Sequence, residues 1–192
     1  MLLCLDAVAA ARDLAAGQVA CPACGAGQLA RWGHGRERVI RLPGGARARL
    51  RPLRARCRAC RVTHLLLPAW CAPRRADAIE VIATAAGLAV AGQGHRAVAA
   101  ALGVPPGTVR GWLRRLRLRA EQLRCHAMRV LAALDPHFEP PGPAASPLGD
   151  ALNAVAAAAH AARSRLGGRP GLTWPLIGLS GLARHLAPAP GG

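Results

Sequence analysis

Lysine is absent from the chain, and all 26 of its lysine-plus-arginine positions are arginine. Acids are scarce as well: 9 of the 192 residues, which leaves a formal net charge of +17. A small chain this positive attracts polyanions, and nucleic acid is the commonest of them. Aromatics make up only 3% of the residues although hydrophobic content is 52%, and much of that is alanine. Alanine fills helices but buries little area, so a thin core of this kind calls for a staple. Long apolar runs are missing too. The longest, residues 78–94, is interrupted by Glu80 and falls short of a bilayer span. Residues 1–5 are apolar but lack a basic flank, and Asp6 and Asp13 follow at once, which excludes an ordinary secretory signal. No Ser/His/Asp set, phosphate loop or open metal site stands in the sequence, so an enzyme is not expected. The expectation is a cytoplasmic, nucleoid-associated protein with no membrane partner.

What is present begins with cysteine. Two C-x-x-C pairs, Cys21/Cys24 and Cys57/Cys60, are separated by thirty-two residues. Zinc takes four thiolates in a tetrahedron, and each C-x-x-C turn presents two of them from one tight knuckle. The gap is longer than the commonest zinc-ribbon spacing, but strand-like sequence fills it. Gly25 suits a knuckle in which backbone N–H groups approach the sulfurs, whereas Arg61 in the matching place suits it less well. Four cysteines leave no open coordination position, so the expected Zn2+ is structural. His34 and His64 lie close enough in sequence to replace a cysteine, though both read as solvated. Cys4, Cys71 and Cys125 have no partner at ligand spacing.

Between and around these pairs the pattern is one of short segments with Gly-rich breaks. Residues 31–33, 39–42, 47–51 and 62–67 read as short antiparallel strands. Arg47, Arg49 and Arg51 share one face. Beyond Pro52 the parity flips, and Arg54, Arg56 and Arg58 point outward, which predicts a bulge or bend at the proline. Eleven arginines lie between positions 31 and 61, against one acid, Glu37. Of these, Arg54 and Arg56 are candidate phosphate contacts.

Elsewhere the sequence is helical. Asp6 caps a short helix ending near Gly17. Helices are expected over 76–91, 95–102 and 106–134, then a linker rich in proline and glycine. Ser146-Pro147 opens another helix that ends at Gly167-Gly168. A last short helix is expected over 173–186, with a disordered tail at 187–192.

Residues 95–116 satisfy the packing demands of a helix-turn-helix. Ala99 is small enough for a close crossing, and Gly103 can take positive φ in the turn. Val98, Leu102, Val104, Val109 and Trp112 supply the inward residues. Winding the third helix at about 100° per residue puts Val109, Trp112, Leu113 and Leu116 inside. Gly107, Thr108, Arg110, Gly111, Arg114 and Arg115 then face outward, with Arg96 on the preceding helix. Arg110 and Arg114 are the candidate guanine readers, since the guanidinium fork matches O6 and N7. A heptad seam continues through Ala120, Leu123, Ala127, Val130 and Leu134. It offers either a homodimer contact, through this helix or the C-terminal ones, or packing within the chain.

Taken in order, these motifs resemble a known family. They are Cys21-Pro22-x-Cys24-Gly25, Arg31-Trp32-Gly33, Cys57-x-x-Cys60, Thr63-His64, Arg74-Arg75-Ala76-Asp77, Gly94-His95-Arg96 and Thr108-Val109-Arg110-Gly111-Trp112. The chain resembles a bacterial family of uncharacterised helix-turn-helix proteins with an insertion-sequence transposase-like zinc-binding front. The resemblance covers residues 21–129 and implies DNA binding. It does not imply strand transfer, because Asp135, Glu139 and Asp150 sit in or beside the linker and make no acidic triad.

The expected architecture is therefore mainly α. An N-terminal helix (1–20) precedes a zinc-ribbon-like β module (21–72). A helix-turn-helix domain of winged or homeodomain-like type (74–134) follows, then a linker (135–147) and a C-terminal helical hairpin with its tail (148–192). The expected role is a non-catalytic, zinc-stabilised partner of double-stranded DNA: a regulator or a domesticated transposase-type recognition unit. The alternatives are the recognition subunit of an active transposition system and a protein-interaction adaptor.

Overall fold

The computed structural model describes residues 1–4 and 6–166. The helix expected over 173–186, the stop at Gly167-Gly168 and the tail lie outside them. The described part is mixed α/β, with more sheet than the sequence pattern led us to expect.

The first half is built on strands β1 (Leu2–Cys4), β2 (Leu29–His34), β3 (Arg38–Arg41), β4 (Arg47–Leu50), β5 (Leu53–Cys57) and β6 (Thr63–Pro68). Four of them form one sheet in the order β1-β6-β5-β2, and β3-β4 form a separate hairpin. The pairs β2/β5 and β5/β6 are antiparallel, the sense expected of these short strands, although β5 was not among the segments singled out. β1 was not anticipated as a strand, and it runs parallel to β6, placing Leu2 opposite Leu66.

Pro52 is buried between β4 and β5, which belong to different sheets. The parity flip expected at this proline is thus a change of sheet. Pro52 has no N–H to continue a ladder, while its carbonyl accepts from Gly35 N at 2.8 Å.

Helix α1 (Ala7–Ala15) starts where expected. Asp6 Oδ1 accepts from Val8 N at 2.7 Å and from Ala9 N at 3.0 Å, and these two bonds hold its carboxyl below the usual range. Leu14 on α1 shares one buried cluster with Leu29, Ala55 and Leu66 of the sheet and with Cys21 and Cys57. One face of the four-stranded sheet is thereby covered, and the other carries Trp32, Arg54 and Arg56.

The second half comprises α2 (Ile79–Val90), α3 (His95–Leu102), α4 (Pro106–Leu118), α5 (Ala120–Leu134) and α6 (Pro147–Leu166). Helix α2 begins three residues later than its pattern suggested. The preceding residues are held by the hairpin: Arg41 N donates to Ala76 O and Ala78 N to Arg41 O, both at 2.8 Å. Arg41 also pairs with Asp77 at 2.8 Å, and the carboxylate is nearly buried, with side-chain exposures of 26% and 8%. Burial raises the Asp77 pKa, and Arg41 and Arg75 partly offset that rise. Ile40 of the hairpin enters the helical core beside Ile79, Ile82, Val98, Val109, Trp112 and Leu113.

The long third helix expected over 106–134 is two helices. Arg119 interrupts it at φ −119°, ψ 13°, with neither glycine nor proline at that position. The cause is tertiary. α4 packs against α2 and α3, whereas α5 packs chiefly against α6. A single straight rod would not serve both partners. The seam is buried within the chain at Val109, Leu113, Leu116, Ala120, Leu123 and Ala127, and from there burial passes to Leu131 instead of Val130. Ser146 Oγ caps α6 by accepting from Gly149 N at 3.1 Å. Among the described residues, no helix is long and apolar enough to cross a membrane.

Candidate metal centre and basic helix face

The four cysteines of the two C-x-x-C pairs converge, with all their sulfurs within 4.8 Å of one another. Cys21 Sγ lies 3.7 Å from Cys60 Sγ, and Cys24 Sγ lies 3.8 Å from Cys57 Sγ. Metal–sulfur bonds of about 2.3 Å in a tetrahedron give sulfur–sulfur edges of about 3.8 Å. A disulfide would need about 2.05 Å. The donor set therefore fits a tetrahedral metal ion. Cys21 and Cys57 are buried against the sheet, and Cys24 and Cys60 face solvent.

The two knuckles share one geometry. The residue after each second cysteine is left-handed: Gly25 at φ +70° and Arg61 at φ +63°. Arg61 adopts this conformation although only glycine does so without strain. Backbone amides close on the sulfurs, as in Cys60 N to Cys57 Sγ at 3.4 Å. The amides of Gly27 and Ala26 pull the Cys24 pKa down to about 6, which prepares a thiolate. Cys60 receives the Val62 amide, but local desolvation of its sulfur among the other thiols pushes it up to about 11. The knuckles are tied together by Arg58 N donating to Gln28 O at 3.0 Å.

One residue at this centre went unnoticed in the sequence, Gly27, and another, His64, was expected to be solvated. A Cβ on Gly27 would stand 2.5 Å from Cys57 Sγ and 2.8 Å from Ala59 Cβ, so only glycine fits there. The spacing Cys24-Gly25-Ala26-Gly27 carried that signal. The other is His64, which is buried, not solvated as expected. Its Nε2 lies 3.6 Å from Cys21 Sγ, and its Nδ1 faces the Met1 amino group at 3.3 Å. His64 stands outside the four-thiol cluster and would support Cys21 from behind if that thiol holds a metal. His34 is exposed, as expected.

Helices α3 and α4 are joined by only Gly103, Val104 and Pro105. Gly103 sits at φ 60°, ψ 38°, the left-handed conformation required of it. Val98, Ala99, Val104, Val109, Trp112, Leu113 and Leu116 are all buried, Trp112 to 1% exposure. On the other side Arg96, Gly107, Arg110 and Arg114 are exposed, while Thr108, Gly111 and Arg115 are half-buried. Arg115 folds back so that its guanidinium donates to Gly111 O at 3.1 Å. Gly111 is therefore partly covered and less open than its place on the outer face implied. Burial, and to a lesser degree the charges of Arg75, Arg114 and Arg119, lower the Arg115 pKa. Arg54 and Arg56 belong to a different element, the open face of the four-stranded sheet, and both are half-buried.

The molecule thus joins a four-thiolate, metal-competent sheet module to a bundle that presents a basic helix face. Residues 21–103 match a domain of unknown function (DUF6431). That stretch takes in the four cysteines, the hairpin, α2 and α3, and it stops at the left-handed Gly103. No curated protein matches the chain, and no solved structure does.

Proposed function

We propose that this chain is a non-catalytic DNA-binding protein whose four cysteines hold a structural Zn2+ and whose α3–α4 pair acts as a helix-turn-helix. The observation that carries this reading is the division of α4. Its buried stripe is wholly apolar, whereas Arg110, Arg114 and Arg117 are exposed. Among the described residues none of these three has a carboxylate partner. A row of unneutralised guanidinium groups on the third helix of a tight bundle suits entry into a major groove, with Arg110 and Arg114 at guanine edges. Gly107 and Thr108 would lie closest to the bases. Arg96, Arg115 and Arg54 would meet phosphates. Four thiolates at tetrahedral spacing favour zinc among common ions and leave no vacant position for chemistry. The role is that of a regulator or a transposase-type recognition unit.

The test is selection of preferred sites from random duplex DNA, followed by salt titration on the winner. Arg110→Ala and Arg114→Ala should each cost about 1–3 kcal/mol and relax preference at one base pair. Arg54→Ala should weaken all sequences alike and lower the salt slope by about one. Identical behaviour of all three variants would reject the groove assignment. Absence of any sequence preference would reduce the reading to nonspecific phosphate binding. Elemental analysis of the purified protein identifies the metal.

A further inference from the structure

Trp32 is 51% exposed, which is unusual for the largest apolar side chain on an ordered strand. It stands on the sheet face opposite α1. Ala30 pairs with Arg56, and Arg56 with Thr63; Arg54 pairs with Leu65. The β2/β5 register shifts between Arg31 and His34, and it is contact with Arg56 that puts Trp32 on this face. The Arg56 guanidinium lies over its ring, 4.8 Å from the centroid. Arg56 Nε also donates to Arg61 O at 3.1 Å. Arg61 belongs to the second metal knuckle, so the metal centre holds the cation that backs the indole. Arg31, Arg36, Arg58 and Arg61 are exposed in the same module. Its one acid between the cysteine pairs, Glu37, faces Arg49 on the separate hairpin at 3.5 Å.

We propose that this face is a stacking platform for an unpaired base of single-stranded nucleic acid. The base would lie on Trp32, and the surrounding arginines would hold the adjoining phosphates. An aromatic ring on a positively charged surface is what a single strand requires, because every base has a π-face and stacking tolerates any sequence. Bases within a duplex are stacked on one another and cannot lie flat on the ring. The ring therefore selects unpaired nucleotides, while Arg54 on the same face can meet a phosphate of either a duplex or a single strand, and base readout in a duplex stays with α4. An acidic peptide would satisfy the arginines but would leave the indole without a planar partner.

The experiment uses the full, metal-loaded chain with four labelled probes at one salt concentration: oligothymidylate, an abasic strand of equal length, a duplex and polyglutamate. Wild type should bind oligothymidylate more tightly than the abasic strand. Trp32→Ala should lower oligothymidylate affinity by about 5- to 150-fold, the range for loss of one stacked base. It should leave abasic and duplex affinities within about twofold by the same reasoning. Trp32→Phe keeps an aromatic ring and should retain most of the affinity, but it should abolish the strand-induced quenching of tryptophan emission expected of wild type. That second readout stands even if the alanine variant fails to fold. Wild-type emission indifferent to oligothymidylate would overturn the proposal. So would equal losses on oligothymidylate and abasic strand, or polyglutamate binding that depends on Trp32. Failure of the α4 reading would appear separately, as duplex binding indifferent to Arg110→Ala.

Discussion

Gly27→Ala tests the metal centre through one methyl group. The added carbon would stand 2.5 Å from Cys57 Sγ and 2.8 Å from Ala59 Cβ. Ordinary carbon contacts lie at about 3.5–4.0 Å, so the overlap on the sulfur is about 1 Å or more. Neither struck atom is the loose end of a flexible side chain. Ala59 lies between Cys57 and Cys60 in the knuckle, and Cys57 is 1% exposed. Overpacking of this kind costs about 1–3 kcal/mol. Because the displaced atom is one of the four candidate ligands and metal binding to such a module is coupled to its folding, the penalty should appear as about 5- to 150-fold weaker metal binding in chelator competition. Gly44→Ala is the matched control. Gly44 sits at φ +71° with nothing within 4 Å of the added carbon, at the hairpin tip. It should cost about 1 kcal/mol of backbone strain and leave metal affinity unchanged. Wild-type chelator resistance in Gly27→Ala would refute the packing of the first knuckle against Cys57. Equal loss in both variants would show a general stability effect instead.

The remaining expectations follow from single contacts. Arg61→Gly should raise the melting temperature slightly, because relief of about 1 kcal/mol of left-handed strain outweighs glycine's greater unfolded-state entropy; a lower melting temperature would mean the Arg61 side chain carries a contact of its own. Asp77→Ala leaves Arg41 without its carboxylate and should destabilise by about 2 kcal/mol, less than the loss for a fully buried pair because Arg41 keeps some solvent; Asp77→Asn should cost less than that in the same denaturant titration. Burial pushes the Cys71 thiol up to about 12, so it should resist iodoacetamide at pH 8 in the folded protein and react only on unfolding, as followed by mass spectrometry.

The elements that could be read early are those defined by neighbours along the chain. The Asp6 cap depends on amides two and three residues away. The limits of α3, the left-handed Gly103 and the apolar stripe of α4 all follow from helical spacing within a few turns. Arg54 and Arg56 were placed outward from period-two alternation alone. The cysteine pairing was legible because C-x-x-C is itself a local geometry and only one partner knuckle existed.

The rest depended on contacts between distant positions, which no local pattern carries. β1 finds a parallel partner in β6, sixty-three residues away at Cys4 and Leu67, although three apolar residues could have formed many things. α2 starts late because Arg41, on another sheet, claims the backbone of Ala76 and Ala78 and the carboxylate of Asp77. The helix over 106–134 keeps an unbroken heptad pattern and still divides at Arg119, because its two halves pack against different helices. His64 alternates like any strand residue, yet its ring is buried against Cys21. The sequence by itself determined which thiols can share a metal and which α4 arginines face away from the core, since spacing along one helix or turn sets both. Only the tertiary structure decided what stands behind them: the glycine that leaves room for Cys57, the histidine that supports Cys21, and the arginine that backs an exposed tryptophan.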